Sequence, residues 1–328
     1  MKLGLFAALA AAVPLVQAQS VISAKAGMIH YVEGTVYLDD GLTKPKFGQF
    51  PDMKNGSVLR TERGRAEVLL GPGIFLRLAE NSSFRMVSNL LTESRVELLT
   101  GSVLVECAEL TPDATTQILY RNAVANLKKN GLYRMNADPA EFLVHDGRAE
   151  VTRDGTTLEL TRGRFVELDE PTLTARRFDA KLTDSLYRWS ARRSGYAATA
   201  NISAAKMVRD NYYMLSRSSW FWNPYLGMMT FIPYNGSIFS PFGYGFYSPR
   251  TVYVVYAPRP VYTPSTGGGG GGPVFDPSRG YNVSSGRSYD NSPVVSSPGP
   301  SAAPAPAASP RSSEAASPRG GEGGGRRN

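Results

Sequence analysis

Between residues 64 and 78 the chain reads GRAEVLLGPGIFLRL, in which Ala66, Val68 and Leu70 fall on one side of an extended backbone and Arg65 and Glu67 on the other. After Gly71-Pro72-Gly73 the alternation resumes with Ile74, Leu76 and Leu78 opposite Arg77, so the stretch predicts a hairpin. The same period of two recurs from residue 21 to residue 168. GTVYLDDG closes on Asp39-Asp40-Gly41, NGSVLRTERG opens on Asn55-Gly56, and SRVELLTGSVLVEC is divided by Thr100-Gly101. Asn130-Gly131 is the strongest kind of short hairpin signal, and Asp146-Gly147, Asp154-Gly155 and Arg162-Gly163 are predicted to separate strands of about five residues. Many short strands with frequent turns predict a mainly β domain over residues 19–170, an antiparallel β-sandwich or roll of short hairpins. GRAEV occurs at both Gly64 and Gly147, as either a duplicated hairpin unit or the small vocabulary of strand sequences.

Past Pro171 the period changes. Leu182, Leu186 and Trp189 are spaced by four and three, which predicts an amphipathic helix over 180–200, capped by Asp179 or Thr183, within a helical segment 171–217. A short second helix is expected over 204–210. Arg188, Arg192 and Arg193 fall on the polar side and read as a solvated face, with an acidic partner as the alternative. Residues 218–262 are too apolar for a free tail and too rich in Gly and Pro for a helix. They are expected to pack on the β domain; the alternative is an aromatic surface for a membrane or glycan. Six consecutive glycines, Gly267 to Gly272, and a Ser/Pro/Ala/Gly-rich run make 263–328 a predicted disordered tail.

Met1-Lys2 precedes an apolar, Ala-rich run from Leu3 to Val16, and Val16-Gln17-Ala18 fits the small-residue pattern a signal peptidase accepts. Residues 1–18 are therefore expected to be a signal peptide and Gln19 the first mature residue, placing the chain in the periplasm, in the outer envelope or outside the cell. The alternative, an uncleaved anchor, needs about 20 apolar residues to cross the hydrocarbon, and Pro14 and Gln17 interrupt the run. The single cysteine, Cys107, shares a strand face with Val103 and Val105, which predicts a core thiol and excludes an internal disulfide. A net charge of +8 spread along the chain favours weak attraction to anionic phospholipid, lipopolysaccharide or acidic glycan, whereas nucleic acid is a poor partner for an exported chain.

Few residues of this chain could carry chemistry. His30 and His145 are the only histidines, and no metal-ligand spacing surrounds either, so no metal and no cofactor are expected. Asp146 beside His145 is better explained as a turn residue than as part of a triad. Glu33, Asp39, Asp40 and Glu67 are of the right type for a pair of glycosidase carboxylates. Asp39-Asp40-Gly41 has an ordinary explanation as a turn, however, and a Glu on the solvent face of a strand is ordinary too, so no catalytic site is expected. Asn81, Asn201, Asn235 and Asn282 match the glycosylation sequon, a pattern common by chance.

NGSVLRTERGRAEVLLGPGIFLRLAENSSFRM, followed by VELLTGSVLVEC, resembles the FecR domain over residues 56–107. The likeness rests on Gly56, Leu59 and Thr61, the strand positions Ala66, Val68 and Leu70, the turn before Phe75, Leu76 and Leu78, Ser83, and Leu99-x-Gly101-x-Val103. GMIHYVEGTVYLDDG resembles the segment that commonly precedes that domain, and the strands to Leu168 resemble its continuation. The resemblance implies a periplasmic β-domain with a non-enzymatic sensing or scaffolding role. In iron-transport signalling, members of the family receive a signal from an outer-membrane transporter and control a sigma factor through a cytoplasmic N-terminal segment. No such segment and no internal membrane helix are read in this sequence, so direct sigma-factor control is not expected. The expectation is an exported, non-catalytic binding, sensing or scaffolding module of the bacterial cell envelope that engages a protein or glycan through sheet edges and loops. The alternatives are a structural surface protein attached through its aromatic C-terminal segment, and a carbohydrate-active enzyme.

Overall fold

Backbone pairing follows the apolar/polar alternation through most of the first 170 residues. The computed structural model describes residues 26–181, 183–208 and 215–256. The expected signal peptide at 1–18, Leu182 and the tail at 263–328 lie outside them. Fifteen strands come first: β1 (Met28–Leu38), β2 (Gly41–Leu42), β3 (Val58–Gly71), β4 (Ile74–Leu78), β5 (Ser83–Leu90), β6 (Glu93–Thr100), β7 (Ser102–Cys107), β8 (Thr115–Tyr120), β9 (Ala123–Leu127), β10 (Gly131–Ala137), β11 (Ala140–Asp146), β12 (Arg148–Arg153), β13 (Thr156–Thr161), β14 (Arg164–Glu167) and β15 (Arg176–Arg177). Then come α1 (Ser185–Val208), β16 (Ser219–Asn223), β17 (Met228–Ile232), β18 (Ser237–Phe239), β19 (Gly245–Tyr247) and α2 (Thr251–Tyr256).

The fourteen-residue β3 organises the sheet. β1 lies along it from Leu59 to Leu69. A strand has two edges, so β5, paired at Val58 to Arg60, and β4, paired at Ala66 to Gly71, share the other edge. From β5 a first layer continues as β6, β8, β9, β12 and β13, and from β4 a second continues as β7, β10, β11, β14 and β15. Every pairing is antiparallel except that of β6 with β8. Gly34 and Gly64 face each other in the β1–β3 ribbon, next to a bulge. A Cβ on Gly64 would stand 2.3 Å from the Glu33 carbonyl oxygen and one on Gly34 2.1 Å from that of Arg63, so the ribbon accepts only glycine at this crossing.

The two layers enclose one core. Leu59, Phe84, Met86 and Ile118 come from the first, and Leu76, Val105, Phe142 and Val144 from the second. Both GRAEV segments supply it, Ala66 and Val68 from the second layer and Ala149 and Val151 from the first. Cys107 lies in the same cluster, and burial pushes its thiol far above the ordinary cysteine range, as a core thiol requires.

Glycine-marked turns divide into two kinds. Pro72-Gly73 joins the paired strands β3 and β4, and Asp154-Gly155 joins β12 and β13, as true hairpins. Asn130-Gly131 and Asp146-Gly147 do not, contrary to the sequence expectation: β9 pairs with β8 and β12, and β10 with β7 and β11. These two, together with Thr100-Gly101 and Arg162-Gly163, carry the chain from one layer to the other. At three of the four the glycine is there for close approach, whereas Gly163, at φ of 75°, has nothing within 4 Å of an added Cβ. A Cβ on Gly131 would stand 2.2 Å from the Asp146 carbonyl oxygen, one on Gly147 2.3 Å from the Tyr133 hydroxyl, and one on Gly101 2.1 Å from Ser82 Oγ. An Asn-Gly pair between alternating segments signals a tight corner, and only pairing partners decide whether the corner closes a hairpin.

One helix replaces the two expected. α1 starts at Ser185 rather than 180 because Asp184 is its cap: Asp184 Oδ1 accepts the Tyr187 N–H at 2.8 Å. Neither Asp179 nor Thr183 takes that role. The helix continues unbroken to Val208 because Ala204 and Ala205 extend the buried stripe of Ala197, Ala198 and Ala200. Together with the hairpin β16–β17 it covers the outer face of the second layer. Leu69 and Phe75 of the sheet meet Ala197, Trp220, Phe231 and Phe246 there, with Phe75 and Trp220 edge to face at 5.0 Å. The described part of the aromatic segment therefore packs on the β domain. Among the described residues no helix is long and apolar enough to cross a membrane.

Candidate functional site

The outer face of the second layer should carry polar side chains, and it does, but α1 seals them from water. Glu67 of β3, Arg77 of β4 and Glu106 of β7 are each 0% exposed. Glu67 and Arg77 are direct cross-strand partners, and Glu106, opposite Phe75, is diagonal to Arg77. Arg77 Nε donates to Glu67 Oε2 at 2.8 Å and its Nη1 to Glu106 Oε2 at 2.5 Å. A bulge in β1 between Ile29 and Tyr31 breaks the period of two at His30. His30 and Tyr31 thereby both meet groups on the outer face. α1 completes the cluster: Arg193 Nη2 donates to Glu67 Oε1 at 2.8 Å and Ser194 Oγ to Glu106 Oε1 at 2.7 Å. The Arg193 guanidinium also lies 4.0 Å from the centre of the Tyr31 ring.

Hydrogen bonds fix the histidine tautomer. The Met229 N–H donates to His30 Nε2 at 3.0 Å, so Nδ1 carries the proton and donates to Glu67 Oε1 at 2.8 Å. Burial holds the imidazole below its usual pKa, against the opposing pull of Glu67. Burial alone would raise the Glu67 carboxyl, but Arg193, Arg77 and the His30 hydrogen bond overcome it and hold the group well below the usual carboxylate range. Burial raises the Glu106 carboxyl, opposed by the Arg77 guanidinium and the Ser194 hydroxyl that both donate to it. With Glu106 ionised by those two donors, two carboxylates and two guanidiniums balance, beside one neutral imidazole. Arg77 Nη2 is buried without a hydrogen-bond partner among the described residues, as is Ser190 Oγ on the buried face of α1.

This arrangement is built for fastening. A general base must be free to take a proton, whereas Glu67 has both oxygens engaged by three partners. Its burial corrects the expectation of a solvent-facing strand Glu. Arg193 likewise is buried, not solvated, while Arg188 and Arg192 are exposed. The other carboxylates of the sequence reading are apart from it. Glu33 Oε2 accepts the Trp189 indole N–H at 2.8 Å, while Asp39 and Asp40 form the β1–β2 turn at φ of 49° and 64°. Asp39 there accepts from Ser57 and the Val58 N–H. Six residues of strand separate Glu33 from Asp39, about 20 Å at strand rise, which is beyond the carboxylate spacing of glycosidases.

His145 packs edge-on against Phe178 at 5.0 Å and near Tyr187 at 5.6 Å. Burial first, then the charge of Arg134, lowers its pKa to about 4. Asp146 pairs with Arg162 at 3.9 Å rather than with His145. Among the described residues no group of three or more His, Cys, Asp or Glu side chains is placed to hold a metal ion. Asn201 is buried: its amide donates to the Phe231 and Tyr247 carbonyls and ties α1 to the aromatic segment, so the folded chain does not present this sequon. Asn282 lies outside the described residues.

Two depressions stand out among the described residues. One, of about 730 Å³, is lined by Arg121, Asp138, Glu167, Asp169 and Glu170, but Arg121 is spent on Asp169 at 2.7 Å and Arg176 on Glu167 at 2.5 Å. The other, of about 300 Å³, opens beside α1 and is lined by His30, Tyr31, Arg193, Tyr196, Thr199 and Leu226, among others. Tyr31, Tyr196 and Leu226 are exposed at its mouth. The charged cluster behind this mouth escaped the sequence reading. The register hid it: counting outward from Pro72-Gly73 places Val68 opposite Arg77, and only a bulge between Leu69 and Gly71 brings Glu67 there.

No protein-family model and no curated protein matches the chain. Two crystal structures of a "putative anti-sigma factor" from Parabacteroides distasonis ATCC 8503 resemble it at 15% identity and a TM-score of 0.33, over 42% of this chain and 63% of that one. The chain thus spans less than two thirds of the length of those structures.

Proposed function

We propose that the chain is a non-catalytic recognition module of the FecR-like kind, exported to the cell envelope, that takes up an extended partner segment along the free edge of β13. The edge itself carries the proposal. β13 pairs with β12 alone and ends the first layer. Its six residues pair without a bulge and include no proline, and Glu159 is its one charged residue, so neither backbone device that blunts an edge is present. Leu160 anchors the strand in the core while Thr156, Thr157, Glu159 and Thr161 are exposed. A two-residue hairpin closes on a hydrogen-bonded pair, here Arg153 with Thr156. Alternation then points the main-chain groups of Thr157, Glu159 and Thr161 outward, ready for a partner strand. Such a binder needs no special side chains, in keeping with polar clusters that serve packing.

Two alternatives are less well supported. Trp220, Phe231 and Phe246 are used inside the fold, which leaves a polymer-attaching segment without its main aromatics. A carbohydrate-active enzyme would need a free carboxylate pair, and Glu67 is locked.

Glu159→Pro tests the reading, because it deletes an outward N–H without touching a ladder bond to β12. A photoreactive side chain at Thr161 in living cells should trap a partner in the parent chain and lose at least nine-tenths of that product in Glu159→Pro, with thermal stability retained. An undiminished product in the folded variant would overturn the proposal.

A further inference from the structure

The depression beside α1 has the makings of a ligand site that is independent of the β13 edge. Its walls are amphipathic: the rings of Tyr31 and Tyr196, the side chain of Leu226 and the exposed Thr199 at the mouth, the buried Arg193 and His30 further in. At about 300 Å³ it stands at the small end of ligand pockets, enough for a single ring and not for a folded peptide. Tyr31 is held in place. The Arg193 guanidinium sits 4.0 Å above the Tyr31 ring, and Trp189 backs Tyr31 at 6.4 Å.

Tyr196 follows Arg192 by one turn on the exposed side of α1, with Thr199 next in the same stripe. Arg192 is exposed and pairs with no carboxylate among the described residues, whereas the cluster beneath is charge-balanced. The positive charge one helical turn from Tyr196 is thus uncompensated.

An apolar C–H face of a pyranose stacks on the exposed, electron-rich ring of Tyr196, with Tyr31, already covered by Arg193, as the side wall, and the ring hydroxyls take the surrounding donors. A carboxylate on the sugar meets the Arg192 guanidinium, one helical turn from Tyr196, in bidentate fashion. We propose that the pocket formed by Tyr31, Arg193, Tyr196, Thr199 and Leu226, with Arg192 one turn along α1 from Tyr196, binds a carboxylate-bearing sugar residue of an acidic glycan.

The test uses the full chain, titrated with tri-galacturonic acid and, as the uncharged counterpart, maltotriose, followed by Trp fluorescence and calorimetry. Trp189, packed against Tyr31, reports occupancy. Tri-galacturonic acid should bind in the millimolar range or tighter. Tyr196→Ala should weaken it at least tenfold, and Arg192→Gln should reduce the preference over maltotriose to near unity. Both substitutions are at exposed positions, so the fold is retained, and Tyr234→Ala, exposed elsewhere, is the control that leaves binding unchanged. Absence of binding at millimolar concentrations, equal binding by the Tyr196→Ala chain, or equal affinity for the two sugars in the parent chain overturns the proposal. Failure of the Glu159→Pro experiment bears only on the β13 edge.

Discussion

Arg193→Ala separates a helix held by charge from one held by apolar contact. Glu67 is 0% exposed and accepts from Arg193 twice, at 3.2 and 2.8 Å. Without Arg193, the cluster holds two buried carboxylates against one guanidinium. Breaking a buried pair by removing one member costs about 3–5 kcal/mol, because the remaining charge is left uncompensated. In a folded unit of this size that lowers Tm by roughly 10 °C, at 2–4 °C for each kcal/mol. Replacing both partners tests the cause: Glu67→Gln with Arg193→Met removes the charge with its counter-charge and should cost at least 2 kcal/mol less than the sum of the single changes. Urea denaturation gives the free energies, and amide exchange along α1 shows where stability is lost. Should Arg193→Ala cost under about 1 kcal/mol, or the double change prove additive, the cluster is incidental and α1 is held by Ala197, Ala200 and Trp189 alone.

Gly64→Ala should cost several times as much as Gly155→Ala in the same denaturation measurement. Gly64 lies within β3 and Gly155 in the β12–β13 turn: a Cβ at Gly64 meets the Glu33 carbonyl at 2.3 Å, whereas nothing stands within 4 Å of one at Gly155. Gly155 has φ of 78°, so its substitution pays only the left-handed backbone penalty of about 1–2 kcal/mol. Stability should also fall in mild acid. His145 has a folded pKa near 4, below its unfolded value of 6.5, so the unfolded chain takes the proton first. The contribution of the neutral imidazole is complete above pH 6.5 and is lost as pH falls towards 4, at most about 3 kcal/mol. His30, also lowered by burial, adds in the same direction. His145→Phe should flatten the stability profile over that window, and an unchanged slope would refute the assignment.

How much of this was legible in the sequence depends on which partner each residue meets. Alternation alone located most strands, including the hairpin of residues 64–78, because one face of each strand is in the common core. The order of strands in the layers was not legible. Asn130-Gly131 and Asp146-Gly147 look like hairpin turns locally, and the information that overrides them lies in strands β7 and β12, which claim the neighbouring edges.

The charged cluster was hidden for a related reason. Glu67, Arg77 and Glu106 occupy positions that alternation assigns to solvent, and that assignment is right for the sheet taken by itself. The helix makes it wrong. The face of α1 turned to the sheet carries Ser190, Arg193, Ser194 and Asn201 among its alanines, so its buried stripe is small and polar where a sequence search looks for leucine. Each element is polar on the face it buries, and neither alone would bury it. Polar groups that match in position and charge fix one docking of α1, since sliding the helix by a turn would strand Glu67 without Arg193 and Glu106 without Ser194. Apolar contact would tolerate such a slip more readily. The mouth of the pocket beside α1 is formed by Tyr31 from the sheet and Tyr196 from the helix, so the cluster that sets the helix also sets the spacing of the two rings.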